Sequence, residues 1–181
     1  MKNKTQSWTV LDRRELYRAD PWVTLSVEHL RLPNGQEVED FHQLKLPDFV
    51  AVVALTQNQQ VLMLRQYKHG ARRTSLTLPG GLVESGEAPL DAAKRELAEE
   101  TGYGAEDWQF LGSYTVHGNL GAGKGHFYRA ENARKIFLPQ SGDLEEMTIL
   151  CLDPIELKKA VRKGAVCLLN HIAGLGLAKL L

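Results

Sequence analysis

Three glutamates, Glu96, Glu99 and Glu100, stand three and four residues apart within the stretch 81–103. On a helix those spacings put their carboxylates close together, and like charges so placed destabilise the helix that carries them. Arg95 can relieve Glu99, its i+4 neighbour, but it cannot neutralise all three. A hard divalent cation bound by carboxylate oxygens can. Charge alone favours a plainer account, a solvated acidic face. The decision therefore rests on the spacing of the whole stretch.

That stretch follows the pattern Gly-x5-Glu-x7-Arg-Glu-U-x-Glu-Glu-x-Gly-U, with U a bulky apolar residue. Its fixed positions are Gly81, Glu87, Arg95, Glu96, Glu99, Glu100 and Gly102. At average residue usage, seven such positions arise by chance in about one chain per million of this length. The pattern resembles the Nudix box of the Nudix hydrolases, which cleave nucleoside diphosphates linked to another group. Leu97 fills the first U position, and the aromatic Tyr103 replaces an aliphatic residue at the second.

The resemblance implies a Mg²⁺ (or Mn²⁺) site held by Glu96, Glu99 and Glu100 with the backbone carbonyl of Gly80. Gly81 would lie against the substrate. Mg²⁺ needs only a few carboxylates plus substrate phosphate, and it neutralises phosphate charge while activating water. Glu87 and Arg95 are expected to tie the glycine loop to the helix and orient the ligands. Ordinary surface pairing is the alternative for those two.

The elements that must position these groups can be read from the same residues. Pro89 suits a first helical position, Asp91 sits where the helix dipole favours a negative charge, and Gly102 is a C-terminal stop. Leu90, Ala93 and Leu97 form the buried stripe. Upstream, residues 49–55 are a continuous apolar run suited to a buried strand, with 61–67 as its hairpin partner. A basic loop follows at 68–75, in which Arg72 and Arg73 read as solvated charges. A strand at 76–78 then delivers Pro79, Gly80 and Gly81 to the box.

Downstream, strands are expected near 108–116 and 125–130. The glycine-rich stretch between them is expected to be a mobile loop or a close approach to ligand. A loop at 131–146 leads to a strand at 147–152, a helix at 155–163 and a final amphipathic helix at 166–180. This alternation predicts an α/β/α sandwich with a mixed sheet, and the resemblance implies the same Nudix fold. Residues 6–46 read as two or three short antiparallel strands, too few to be stable alone. Pro47 and Asp48 break the pattern, giving an N-terminal sheet at 1–47 and a hydrolase domain at 48–181.

Residues 20–160 also resemble one branch of the family, the ADP-ribose and nucleotide-sugar pyrophosphatases. The similarity lies in Pro21-Trp22, Leu46-Pro47-Asp48, Val61 through Gly70 and Leu78 through Glu87. That branch exchanges its N-terminal sheets across a homodimer and builds the nucleoside pocket with them. The resemblance places the water-activating base in the acidic loop before the last strand, at Glu145 or, second, Glu146, with Glu99 the next candidate. Solvated loop charges are the plainer account of both.

Arg65 is a candidate for a phosphate or terminal-ribose contact, with a strand-end salt bridge equally open. Trp22 is a candidate for stacking on a base, with a core or dimer contact equally open. His117 and His126 are given no role. Two positions depart from the branch. His117-Gly118 replaces a Pro-Gly pair that accompanies ADP-ribose preference, and Thr148 stands where a further Glu is common.

The chain carries 22 basic and 22 acidic residues, so no global field favours nucleic acid or an anionic membrane. The expected partners are a small-molecule nucleotide and a second copy of the chain. Cys151 and Cys167 sit in apolar contexts without metal or redox spacing, as in a reducing compartment. The first residues lack the apolar segment of a signal peptide, and no apolar run is long enough to span a bilayer. The chain is expected to be cytoplasmic. GDP-mannose or other nucleotide sugars, and dinucleoside polyphosphates, are the alternative substrates. A non-catalytic nucleotide sensor is the alternative class, although every box carboxylate is present.

Overall fold

The computed structural model describes residues 7–139 and 146–181. The chain forms two compact units: residues up to Pro47 together with Thr115–Lys124, and Asp48–Tyr114 together with Gly125–Leu181.

The first unit is an antiparallel meander of β1 (Thr9–Ala19), β2 (Val23–Arg31) and β3 (Glu37–Lys45). The turn at Pro33-Asn34-Gly35 closes between β2 and β3, where Gly35 donates its N–H to Leu32 O at 2.9 Å and adopts φ +86°. Leu44 pairs with Gly121. β1 has no second neighbour among the described residues, and all but its last residue are exposed.

The second unit is built on a mixed sheet. β9 (Gly121–Lys135) contributes its portion from Gly125 onward and runs parallel to β4 (Phe49–Thr56). β5 (Val61–Lys68) is antiparallel to β4, to β6 (Arg73–Thr77) and to β10 (Thr148–Leu152). The short β7 (Tyr103–Gly104) and the long β8 (Asp107–His117) pair with β9. Both faces of the sheet are covered, as its near-continuous apolar runs require. On one face Val50, Val52, Leu62, Tyr128 and Ala130 pack with Ala92, Ala93 and Leu97 of helix α1 (Pro89–Thr101). On the other, Ala51, Val53, Val61, Met63 and Phe127 pack with Leu157 of α2 (Pro154–Arg162) and Leu175 of α3 (Leu169–Leu177). No helix of the described residues is long and apolar enough to cross a membrane.

The glycine-rich stretch after β8 corrects one expectation. Residues 121–125 are not a loop but the start of β9, and only residues 118–120 turn. The glycines serve the strand itself. Gly121 and Gly123 take positive φ, and a side chain on Gly123 would run into the carbonyls of Leu46 and Pro47. The basic loop also shrinks, to a single 3-10 turn at His69–Ala71, because β6 starts at Arg73.

His171 of α3 is buried, and its Nδ1 accepts the Leu78 N–H at 3.2 Å. Burial, and then the charge of Lys68, lower its pKa from 6.5 to about 4. The unfolded chain therefore binds the extra proton first. Stability from this group is complete above pH 6.5 and is lost as the pH falls towards 4. The gap corresponds to about 3 kcal/mol. Melting temperatures measured across that window should fall with pH in the wild type and flatten in His171→Asn. Carboxylates with lowered pKa, such as Glu87, act only below their ordinary 4.5, so their contribution is separable.

Candidate active site

α1 begins without a side-chain cap: Ala88 is the N-cap and Pro89 the first helical residue. It ends at Gly102, which adopts φ +72° and returns its N–H to Ala98 O at 2.7 Å. Burying Ala92, Ala93 and Leu97 leaves Glu99 exposed, while the Glu96 side chain is largely covered beside Gly81 and Glu100 stays 6% exposed at the edge of the core.

The glycine loop runs alongside β4. Val52 N–H donates to Pro79 O at 2.8 Å, Val50 N–H to Gly81 O at 2.9 Å, and Val83 N–H to Asp48 O at 2.9 Å. So close a path leaves no room for side chains. A Cβ on Gly80 would strike the carbonyl of Val50, and one on Gly81 would strike the carboxylate of Glu96. Loop and helix meet directly where Gly80 N–H donates to Glu100 Oε2 at 2.7 Å.

Arg95 makes the second junction. Its Nε and Nη2 hold the two oxygens of Glu87 at 2.9 and 3.0 Å, and Nη2 also reaches Leu82 O at 3.1 Å. Its Nη1 is shared between Glu96 at 2.8 Å and Glu99 at 3.2 Å. Five bonds match the five donors of a guanidinium. The pKa of Glu87 is lowered, first by Arg95 and then by the Glu84 N–H. That of Arg95 is raised, first by Glu87.

The donors suit a hard dication: carboxylate oxygens on one helical face, with a loop free of side chains beside them. Among the described residues, no three acidic, imidazole or thiol side chains already converge as a metal cage. Glu96 and Glu99 instead share an arginine nitrogen.

The remaining candidates are placed as follows. Arg65 is exposed and has no ion pair among the described residues. It alternates with Val61 and Met63, which join the cluster packed by α2 and α3. Arg65 thus lies on the opposite face of the sheet from α1, and the structure does not bring it to the carboxylates. Trp22 is 63% exposed in the turn between β1 and β2. Glu146 is exposed just before β10, and Glu145 lies outside the described residues. The sequence reading missed a hydrogen-bonded trio, Asp48, His126 and Ser113. No local motif marks residues so far apart in the chain.

Comparison with known proteins gives a Nudix domain match over residues 45–169 and a nucleoside diphosphate sugar hydrolase N-terminal domain match over residues 8–44. A methanol dehydrogenase activator from Bacillus methanolicus is 34% identical over 70% of this chain and 71% of that protein. An ADP-ribose pyrophosphatase from Bacillus subtilis (strain 168) is 40% identical over 46% of this chain and 45% of that protein. A crystal structure of an ADP compounds hydrolase matches the fold with a TM-score of 0.81, at 20% identity, over 96% of this chain and 93% of that one.

Proposed function

The chain belongs to the Nudix hydrolases, and on that premise we propose that it hydrolyses the pyrophosphate bond of a nucleoside diphosphate sugar, with ADP-ribose the first choice. The products would be AMP and ribose 5-phosphate. The observation that carries this reading is the double tie between loop and helix, Gly80 to Glu100 and Arg95 to Glu87, which sets the box carboxylates beside the glycine loop. The N-terminal domain match and the ADP-ribose pyrophosphatase among the relatives support the choice of substrate class.

Glu96, Glu99 and Glu100, with the carbonyl of Gly80, would hold Mg²⁺ or Mn²⁺. The ion would supply neutralisation of phosphate charge and activation of water. Arg95 and Glu87 keep the loop against the helix, and Arg95 would give up its bonds to Glu96 and Glu99 when those carboxylates hold the ion. Glu145 or Glu146 takes the proton from water. A panel of nucleotide sugars and dinucleoside polyphosphates, with and without Mg²⁺ and with both products quantified, tests the reading. Absence of turnover across the whole panel would sink it.

The reading extends to a homodimer formed through residues 6–46. Among the described residues β1 offers an unpaired edge with Val10, Leu16 and Tyr17 exposed, and Trp8 and Trp22 flank it in sequence. Such an edge calls for a cover. Sedimentation should give twice the chain mass for the full protein and a single chain mass for a protein starting at Asp48. A full-length monomer with full activity would count against the dimer.

A further inference from the structure

Away from the box carboxylates, three polar side chains distant in sequence meet within the second unit. Ser113 Oγ lies 2.5 Å from His126 Nδ1, and His126 Nε2 lies 3.2 Å from Asp48 Oδ2. The His126 side chain is largely covered, and Ser113 is exposed. The Asp48 carboxylate is an acceptor, so it assigns the ring proton to Nε2. Nδ1 is then left to accept the Ser113 O–H. The hydroxyl proton points inward, and the two lone pairs of Ser113 point outward as acceptors.

β8 departs from regular pleating to achieve this. Phe110 contacts the ring of Tyr128 at 5.3 Å, and His126, two residues before Tyr128, projects to the same face of β9. Phe110 and Ser113 are an odd number of residues apart, yet both reach that face. The alternation breaks at Gly112, whose φ is +139°. An extra residue that re-aims a side chain is the signature of a bulge, and bulges concentrate beside functional sites.

The face and the distance connect the trio to the carboxylates. Tyr128 and Ala130 share their side of the sheet with α1. Val50 bonds Gly81 on one side and pairs with His126 on the other. His126 is therefore two strand spacings, roughly 10 Å, from the glycine loop. Asp48 itself takes the N–H of Val83, within that loop.

We propose that Ser113, oriented by His126 and Asp48, is a subsite that accepts hydrogen bonds from sugar hydroxyls of the substrate. The inference rests on the reading of the chain as a nucleotide-sugar hydrolase. The trio has the connectivity of a nucleophilic relay. The scissile phosphorus belongs at the carboxylates, however, so Ser113 meets hydroxyl donors and not the electrophile. A serine acceptor beside a ribose adds orientation and affinity, and leaves the water-activating step unchanged.

The test compares wild type, Ser113→Ala and Ser113→Thr with ADP-ribose as the probe. Ser113→Ala should raise KM several-fold, up to about tenfold, with kcat and melting temperature nearly unchanged. Ser113→Thr should restore KM. Calorimetric binding of ADP-ribose in chelator reads the same subsite without turnover and should weaken by the same factor in Ser113→Ala. An unmoved KM and affinity in Ser113→Ala, or a fall in kcat alone, overturns the subsite while leaving the hydrolase reading intact. A wild type that neither binds nor cleaves ADP-ribose overturns both.

Discussion

Replacing Glu100 by glutamine is expected to lower turnover by about two to three powers of ten while the fold survives. Glutamine keeps the volume of Glu100 and a carbonyl oxygen to accept the Gly80 N–H, so the 2.7 Å tie between loop and helix persists. What disappears is the negative charge, in a site whose proposed work is to hold a dication against a diphosphate. Glu96→Gln should behave alike, since its amide oxygen can still accept the Arg95 Nη1 bond, 2.8 Å long in the wild type. Initial rates with titrated Mg²⁺, beside melting temperatures, separate charge from folding. Near wild-type rates in both variants, with unmoved metal titrations, would sink the assignment of these carboxylates.

The second large effect is expected in the acidic loop. Carboxylates engaged with a metal have their lone pairs occupied and are poor proton acceptors, so the base should lie elsewhere. Glu146 stands exposed immediately before β10, and Glu145 precedes it in the sequence. Loss of a general base typically costs about a hundred- to ten-thousand-fold in turnover, with substrate affinity little changed. Glu145→Gln and Glu146→Gln should therefore divide: one loses turnover at constant affinity, and the other stays near wild type. If both retain full turnover, Glu99 becomes the candidate. If affinity collapses while turnover at saturation holds, the loop grips substrate or metal and moves no proton.

The helix was legible because its signals are local. Pro89, Asp91, the apolar stripe and Gly102 sit within a few turns of one another, and the observed bounds follow them. The helix after Asp153 was legible for the same reason, and its capping box closes on Glu156. Helices on both faces of a mixed sheet follow from the apolar runs at 49–55 and 61–67, which can only be buried from two sides. The glycine stretch misled because four glycines signal freedom in a single sequence. Here three of them, Gly121, Gly123 and Gly125, belong to a strand, where the positive φ of the first two and the close contacts of Gly123 and Gly125 admit little else. The chemistry of Arg65 does not give its place in the fold, which strand alternation with Val61 and Met63 sets. The Ser113 trio depends on a bulge and on pairing between distant strands, neither of which leaves a periodic trace. His171 reads as an interruption of an apolar helix until its partner, the Leu78 N–H, is seen.

Arg95 uses three of its five donors, two to Glu87 and one to Leu82 O, to hold the segment from Leu82 to Glu87 against α1, and its other two go to Glu96 and Glu99 on the helix itself. The conformational entropy of that segment is thus surrendered when the chain folds, before any ion or nucleotide arrives. An ion held by the box carboxylates would then meet a frame already stiff, and little of its binding free energy would go into ordering backbone. Chelation should leave residues 82–87 as resistant to proteolysis as before. A lysine at 95, with three donors on a flexible stem, would leave the segment loose and move the ordering cost to the moment of ligand binding.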